Sequence, residues 1–449
     1  MELLGKRALV VGLGASGAAA TRLCLARGAL VTATDRAAAP PAAAGLGELG
    51  ARLSLGGHRP EDFAAADIIV LSPGVDHRLP EMAAARAGGA RVIGELELGF
   101  AFLKAPAVMI TGTNGKTTVT TLVARLLEAC GRRVFSGGNL GTPLCELVAR
   151  PQEIDWAVLE VSSFQTDTME TLRPRVGVLL NITPDHLDRY ADFDEYARSK
   201  FRMFANQAGD DLAILCQDDH EVAARAHLAP ARVWTYGARG PRRPGGWLEG
   251  DDLMLDTGAD KPLTLSAARS RLPGGFNRLN LLAASLAACA CGAPPAVVQA
   301  VIDDFKGLGH RLEYVTTIDD VDYFDDSKGT NVGAVQAALT ALDRPTVLLL
   351  GGRDKEGRFA DLGAQLASGL VRVICFGEAG PAIHAQVRAL AQSQVVPDLA
   401  AAVALARSLA GPGQAVLLSP GCASFDAYTG YAQRGQHFQA LIRKEAAHA

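Results

Sequence analysis

The 449-residue chain is 49% hydrophobic and carries a formal net charge of −4 with no long run of one sign. It can therefore bury several cores, and it lacks the basic surface that nucleic acid or an anionic membrane would require. Eight scattered cysteines without a Cys-x-x-Cys pair argue against a disulfide framework or zinc site, and no apolar run reaches the length of a membrane span; a reducing, cytoplasmic setting fits.

Residues 8–11 form a short apolar strand that runs into Gly12-Leu13-Gly14-Ala15-Ser16-Gly17 and an alanine-rich helix. The run is too short for a signal-peptide core and reads as a buried strand. Residues 30–34 form the next strand, which ends at Asp35, and residues 68–71 another, which ends at Ser72-Pro73-Gly74. Strand, loop and helix in alternation predict a parallel sheet with helical crossovers. The glycine turn with Asp35 suits a dinucleotide, the acid resting on a ribose hydroxyl. Any diphosphate could use the same turn. An NAD(P)-dependent oxidoreductase would not need the second phosphate loop that follows, so a diphosphate-bearing substrate is favoured.

A second start lies at residues 107–110, before Gly112-Thr113-Asn114-Gly115-Lys116-Thr117. Glycines let backbone N–H groups approach phosphate oxygens, and the start of a helix favours negative charge. Lys116 is expected to reach the terminal phosphates and Thr117 to ligand magnesium. Ile110 occupies the first glycine position of the general phosphate-loop pattern, so the loop is a variant. Strands follow at residues 157–160 and 176–181. Glu160 ends the first, well placed to hold magnesium. Asn181 ends the second and leads to Asp185-His186, an acid and imidazole suited to a metal site. Lys200 lies on a helix and by composition alone reads as a surface lysine. Residues 237–250, rich in Gly, Pro and Arg, predict an excursion or hairpin, and residues 279–291 a helix closed by Gly292.

The third start follows His310-Arg311, with strands at residues 321–324, 347–350, 371–376 and 415–418. Three strand ends carry Asp325-Asp326-Ser327-Lys328-Gly329-Thr330-Asn331, Gly351-Gly352-Arg353-Asp354-Lys355 and Ser419-Pro420-Gly421-Cys422-Ala423-Ser424-Phe425. Three such loops at the C-terminal edge of one sheet make a ligand crevice. Only nine of the 44 basic residues are lysines, and Lys116, Lys200, Lys328 and Lys355 all fall inside motifs. A compact ammonium or a reactive amine is a role arginine cannot fill. Domain boundaries are expected at 1–97, 98–307 and 308–449.

Gly112 to Thr118, Glu160-Val161-Ser162-Ser163, Asn181 to His186, Lys200, the Asn277/Asn280 pair, His310-Arg311 and Asp326-Ser327-Lys328, in this order, resemble the Mur ligases over essentially the whole chain. The resemblance implies an α/β protein of three domains. These are an N-terminal Rossmann-like domain, a central P-loop-type ATP-binding domain with a mainly parallel sheet, and a C-terminal Rossmann-like domain. It implies ATP-driven amide-bond formation through an acyl phosphate and a tetrahedral intermediate. The opening glycine turn, Ser72-Pro73-Gly74 and the three C-terminal loops, with Gln433-Arg434-Gly435, are most like the members that add D-glutamate to UDP-N-acetylmuramoyl-L-alanine; a member adding another amino acid is the alternative.

By the same resemblance, Lys116, Glu160, His186 and Lys200 are catalytic, and Thr117, Glu160, His186 and a carbamylated Lys200 serve two magnesium ions. Gly112, Thr113, Asn114, Gly115, Lys116, Thr117, Thr118, Asn277, Asn280, Arg311 and Asp326 bind ATP. Gly14, Ala15, Ser16, Arg36, Gly74 and Asn139 face the UDP substrate. Lys328, Thr330, Lys355, Ser424, Phe425 and Tyr431 hold D-glutamate. A monomer is expected.

Overall fold

Three sheets organise the chain in the computed structural model. It describes every residue except 140, 187–188, 271, 273, 343, 355–356, 368–370 and 447–449, so Lys355 lies outside the described residues. Among the described residues no helix is long and apolar enough to cross a membrane.

The first sheet sets Arg52–Leu55, Leu30–Asp35, Arg7–Val11, Ile68–Leu71 and Arg91–Gly94 side by side, all parallel. Arg7–Val11 is buried beyond its first residue and Ile68–Leu71 throughout, as strands covered by helices on both faces must be. The direction of strand addition reverses between these two strands. A ligand crevice in such a sheet forms outside the strand ends at that reversal, which here carry Gly12–Gly17 and Ser72–Gly74. The edge strand Arg52–Leu55 begins with two exposed residues, which is why its apolar signal is faint in the sequence.

The second sheet has nine strands. Val134–Gly138, Trp156–Glu160, Ala107–Thr111, Val176–Leu179, Leu212–Cys216, Arg232–Gly237 and Gly245–Glu249 are neighbours in that order and run parallel. Asp252–Asp256 and Leu263–Ser266 extend the sheet antiparallel. The expected excursion at 237–250 therefore resolves into Gly245–Glu249 and its hairpin with Asp252–Asp256. The strand expected to reach residue 181 stops at Leu179, because Asn181 leaves the ladder to bind the phosphate loop. The helix expected from residue 279 begins at Gly275 and ends at Ala290. Asn277 and Arg278 in its first turns hide that start from an apolar pattern.

The third sheet orders Glu313–Ile318, Val321–Asp325, Ala415–Gly421, Thr346–Gly351, Val371–Phe376 and Ser393–Val395. Only the first pair is antiparallel. Leu348, Leu350, Leu417, Val373 and Phe359 pack one face of this sheet, and Val347, Leu349, Ile374, Val416 and Phe438 the other.

The chain packs as two compact units. One holds the first two sheets, in Met1–Ile182, Asp192–Ser266 and Asn280–Val301; the other holds Thr183–Ala191, Ala267–Leu279 and Ile302–Ala449.

Two buried glutamates in the helix Glu95–Phe100, both 1% exposed, show contrasting solutions to burial. Glu97 accepts from the amides of Glu170, Thr171 and Leu172 at 3.1, 2.9 and 3.1 Å and from the Thr171 hydroxyl. Glu95 accepts the Cys145 amide at 2.7 Å through one oxygen, and its other oxygen is buried without a partner among the described residues. Burial, partly countered by that amide, pushes the Glu95 carboxyl up to about 7. Between the ordinary glutamate value and about 7, the folded chain keeps a proton that the unfolded chain has lost. Stability therefore falls as pH rises through this window and the cost is complete above it. Glu95→Gln is expected to flatten that fall by up to about 3 kcal/mol. Denaturant unfolding at a series of pH values checks this, and parallel slopes in the two proteins would contradict it.

Candidate active site

The strand Ala107–Thr111 is buried at every position and delivers its chain directly into the loop before the helix Lys116–Ala129. Gly112 and Gly115 have φ of +151° and +86°, and a Cβ at Gly115 would stand 2.6 Å from the Asn280 side-chain oxygen. Only glycine fits this turn. Asn181 braces the loop from the adjacent strand end. Its carbonyl accepts the Thr113 amide at 2.9 Å, its side-chain oxygen accepts the Asn114 amide at 2.8 Å, and its amide donates to the Asn114 carbonyl at 3.0 Å.

Around this loop the unit gathers most of the residues expected to serve ATP. The Lys116 amine donates to the carbonyls of Gly112 and Thr113 at 2.9 and 2.8 Å. The Thr117 hydroxyl donates to Glu160 at 2.7 Å, and the Asn139 amide donates to the other Glu160 oxygen at 2.8 Å. Glu160, 4% exposed, thus stands beside the start of the helix because Trp156–Glu160 is the immediate neighbour of Ala107–Thr111. Lys200 is 2% exposed, not a surface lysine, and its amine donates to the Gly112 carbonyl at 3.1 Å and sits 4.5 Å from the Tyr196 ring centre. The Tyr196 hydroxyl in turn bonds the Thr113 hydroxyl at 3.0 Å. Thr118 is buried on the same helix. Asn139, which follows the strand Val134–Gly138 of the second sheet, lies beside Glu160.

That glycine turn is tightly built. A Cβ at Gly17 would meet the Gly12 carbonyl oxygen at 1.8 Å, and the Ser72 hydroxyl donates to that same carbonyl at 2.7 Å. Asp35 accepts the Leu13 amide at 2.5 Å and the Ala37 amide at 2.8 Å. Gly14, Ala15, Arg36 and Gly74 are exposed and Ser16 is half-buried. A Cβ at Gly14 or Gly74 would meet nothing within 4 Å.

In the second unit, the strands Val321–Asp325, Ala415–Gly421 and Thr346–Gly351 are adjacent, so their three C-terminal loops share one edge. Asp326 accepts the Leu312 amide at 3.1 Å and the Ser419 hydroxyl at 2.7 Å. Burial pushes its carboxyl up to about 7, against the pull of Ser419, Leu312 and Arg311. Both Asp326 oxygens are thus engaged inside the unit. The Lys328 amide donates to the His310 carbonyl at 3.1 Å, and the Lys328 ammonium sits 3.9 Å from the Tyr431 ring centre. Ser424 is buried, Thr330 is half-buried, and Phe425 is 61% exposed. Asn277 is buried on the helix Gly275–Ala290. His186 has φ of +56°, its amide donates to Asp185 at 3.0 Å, and Asp185 also accepts the Asn331 amide at 3.1 Å.

Two contributions escaped the sequence reading of the site: Tyr196, one helical turn before Lys200, which was given no role, and the burial of Arg434, whose Gln433-Arg434-Gly435 motif carried the resemblance without a role for the arginine. No local pattern gives either role, since Thr113 lies 83 residues from Tyr196 and Ser327 107 residues from Arg434.

The sequence matches the Mur ligase MurD-like N-terminal domain over residues 6–94, the Mur ligase middle domain over 110–288 and the Mur ligase glutamate ligase domain over 310–422. It is 44% identical to a UDP-N-acetylmuramoylalanine–D-glutamate ligase of Desulfosudis oleivorans, covering 99% of this chain and 97% of that protein. The fold is similar to that of MurF from Acinetobacter baumannii, with a TM-score of 0.62 at 17% identity over 97% of this chain and 90% of that one. It is also similar to MurF ligase from Thermotoga maritima in complex with ADP, with a TM-score of 0.59 at 16% identity over 99% of this chain and 100% of that one.

Proposed function

The chain belongs to the Mur ligase family of ATP-dependent, amide-bond-forming enzymes, and from that premise we propose that it joins D-glutamate to UDP-N-acetylmuramoyl-L-alanine. The observation that carries the chemistry is the convergence of Lys116, Thr117, Glu160 and Lys200 on one glycine loop. The choice of amino acid is supported by the activity for which the 44%-identical relative is named.

A carboxylate is a poor electrophile, so the L-alanyl carboxylate first takes the γ-phosphoryl group of ATP, releasing ADP. The amine of D-glutamate attacks the acyl phosphate, the tetrahedral intermediate expels phosphate, and the amide remains. Such transfer depends on positioning and charge neutralisation more than on covalent help. Gly112, Thr113, Asn114, Gly115, Thr117 and Thr118 present the loop to the phosphates and Lys116 neutralises them. Asn277, Asn280, Arg311 and Asp326 serve the rest of the nucleotide, Asp326 by bracing the chain at Leu312 and Ser419. Gly14, Ala15, Ser16, Arg36 and Gly74 face the UDP group, and Asn139 faces the same substrate from the second sheet. Lys328, Thr330, Lys355, Ser424, Phe425 and Tyr431 receive D-glutamate.

The oxygens of Thr117 and Glu160 are the hard donors that magnesium prefers. His186 and a carbamylated Lys200 complete the proposed metal ligands, and two bound ions would offset phosphate charge. We assign these three duties to domains at 1–97, 98–307 and 308–449. All the proposed contacts come from one chain, so the reading is of a monomer, and its demand for ATP favours the cytoplasm.

Phosphate release with UDP-N-acetylmuramoyl-L-alanine, ATP and magnesium, measured over a panel of amino acids, tests the assignment. D-Glutamate is expected to be used best; preference for any other amino acid would overturn it.

A further inference from the structure

Arg434 is fully buried and is the bulkiest side chain so enclosed. It lies in the first turn of the helix Tyr431–Ala446, where the helix dipole disfavours a cation. Removing a guanidinium from water is costly unless its donors are satisfied. Here all five are. Nε donates to the Ser327 hydroxyl at 3.0 Å, Nη2 to the carbonyls of Ser327 and Cys422 at 2.9 and 3.1 Å, and Nη1 to those of Ala423 and Gly351 at 3.3 and 3.4 Å. These acceptors come from three loops far apart in the chain, one from each of three adjacent strands. Burial lowers the guanidinium to about 10, which leaves it charged at neutral pH.

The loops are shaped around this group. Gly352 has φ of +128°, and a Cβ there would stand 2.2 Å from the Ala423 carbonyl oxygen and 2.9 Å from Arg434 Nη1. The Arg353 amide reaches the Ala423 carbonyl at 2.8 Å, and the Gly421 amide reaches the Gly329 carbonyl at 2.8 Å. The Ser327 hydroxyl, which accepts from Arg434, donates to the Tyr431 carbonyl at 2.8 Å. Ser327 and Ala423, the residues so held, immediately precede Lys328 and Ser424.

We propose that Arg434 is the positioning residue of the amino-acid pocket: its guanidinium ties the three loops together and thereby sets where Lys328 and Ser424 meet the incoming dicarboxylate. The inference rests on the reading of those loops under the proposed function. A planar five-donor fork is needed for this, and lysine, with three donors on a flexible stem, does not reproduce it. Displacing binding side chains weakens capture of the amino acid in ground and transition states alike, so KM for that substrate moves more than kcat.

The test uses the full-length enzyme and the amino acid that the wild type turns over best. Arg434→Lys is expected to raise KM for that amino acid at least about tenfold, with kcat and KM for ATP within about threefold of wild type. Ser327→Ala, which removes one acceptor from the buried Nε, is expected to raise the same KM by about threefold and to lower Tm modestly. A role confined to folding would lower Tm without the selective change in KM. Unchanged amino-acid KM in Ser327→Ala and in any folded Arg434→Lys, or equal rises in every KM, would overturn the proposal. If the wild type prefers an amino acid other than D-glutamate, the functional reading falls while the positioning role is still decided with the preferred one.

Discussion

Lys116→Ala is expected to lower kcat/KM for amide formation by about a thousandfold or more, ~4 kcal/mol. The Lys116 amine lies across the loop on the carbonyls of Gly112 and Thr113, at 2.9 and 2.8 Å, at the helix start where phosphates are drawn. A triphosphate entering this turn supplies stronger acceptors than those carbonyls, and the ammonium then meets the charge that develops during transfer. Removing it takes a donor from the carbonyls of buried Gly112 and Thr113, of which Gly112 keeps the Lys200 amine, so a modest loss of thermal stability accompanies the loss of activity. Lys116→Arg is not expected to restore activity, because a planar guanidinium does not fit where a compact ammonium folds back on its own loop. Steady-state kinetics with ATP varied, alongside melting curves, separates the two effects. Near-wild-type turnover in Lys116→Ala would remove the phosphate role.

Lys200→Ala is expected to cost about a hundredfold to a thousandfold in kcat and to regain part of it with added formate or acetate. Lys200 is 2% exposed and its amine shares the Gly112 carbonyl with Lys116, at 3.1 Å. A second buried ammonium beside the first adds like-charge repulsion and desolvation cost. Reaction of the neutral amine with CO2 forms an N–C bond and releases one proton, turning that cation into a carbamate anion. The product would be a hard oxygen donor at the phosphate loop, suited to magnesium. A short carboxylate diffusing into the space left by alanine supplies the same oxygens, whereas chloride does not. Wild-type activity should also fall in CO2-depleted buffer and recover with bicarbonate. Failure of every carboxylate to rescue the variant, together with indifference of the wild type to CO2, would end the carbamate assignment.

Several contacts at the phosphate loop repeat a relation that is local in the chain. Gly112, Gly115, Lys116 and Thr117 lie within six residues of one another, and their roles follow from one strand–turn–helix. The apolar strands that lead to Gly12, Gly112, Asp326, Gly351 and Ser419 are readable for a similar reason. Strands buried on both faces are nearly all apolar, and the residues that end them are glycine, acid or hydroxyl.

Edge strands such as Arg52–Leu55 and Glu313–Ile318 have exposed residues interleaved with apolar ones, and local pattern alone does not distinguish them from loops. The same limit applies to individual site residues. Lys200 has the neighbours of a surface lysine in the chain, yet the fold closes over it. Asp326 has the composition of a ligand-binding acid, yet its oxygens turn inward to Leu312 and Ser419.

The amino-acid sequence by itself determined the three successive strand–loop–helix systems, the phosphate turn and the family, because those depend on short-range geometry and on the order of motifs. Tertiary structure alone decided that Lys200 is buried against Gly112, that Asn181 braces the turn and that Arg434 gathers three loops. These depend on hydrogen bonds between remote segments, 88 residues apart for Lys200 and Gly112, 67 for Asn181 and Asn114 and 107 for Arg434 and Ser327, and such partners are chosen by strand order in the sheet, which no local pattern encodes.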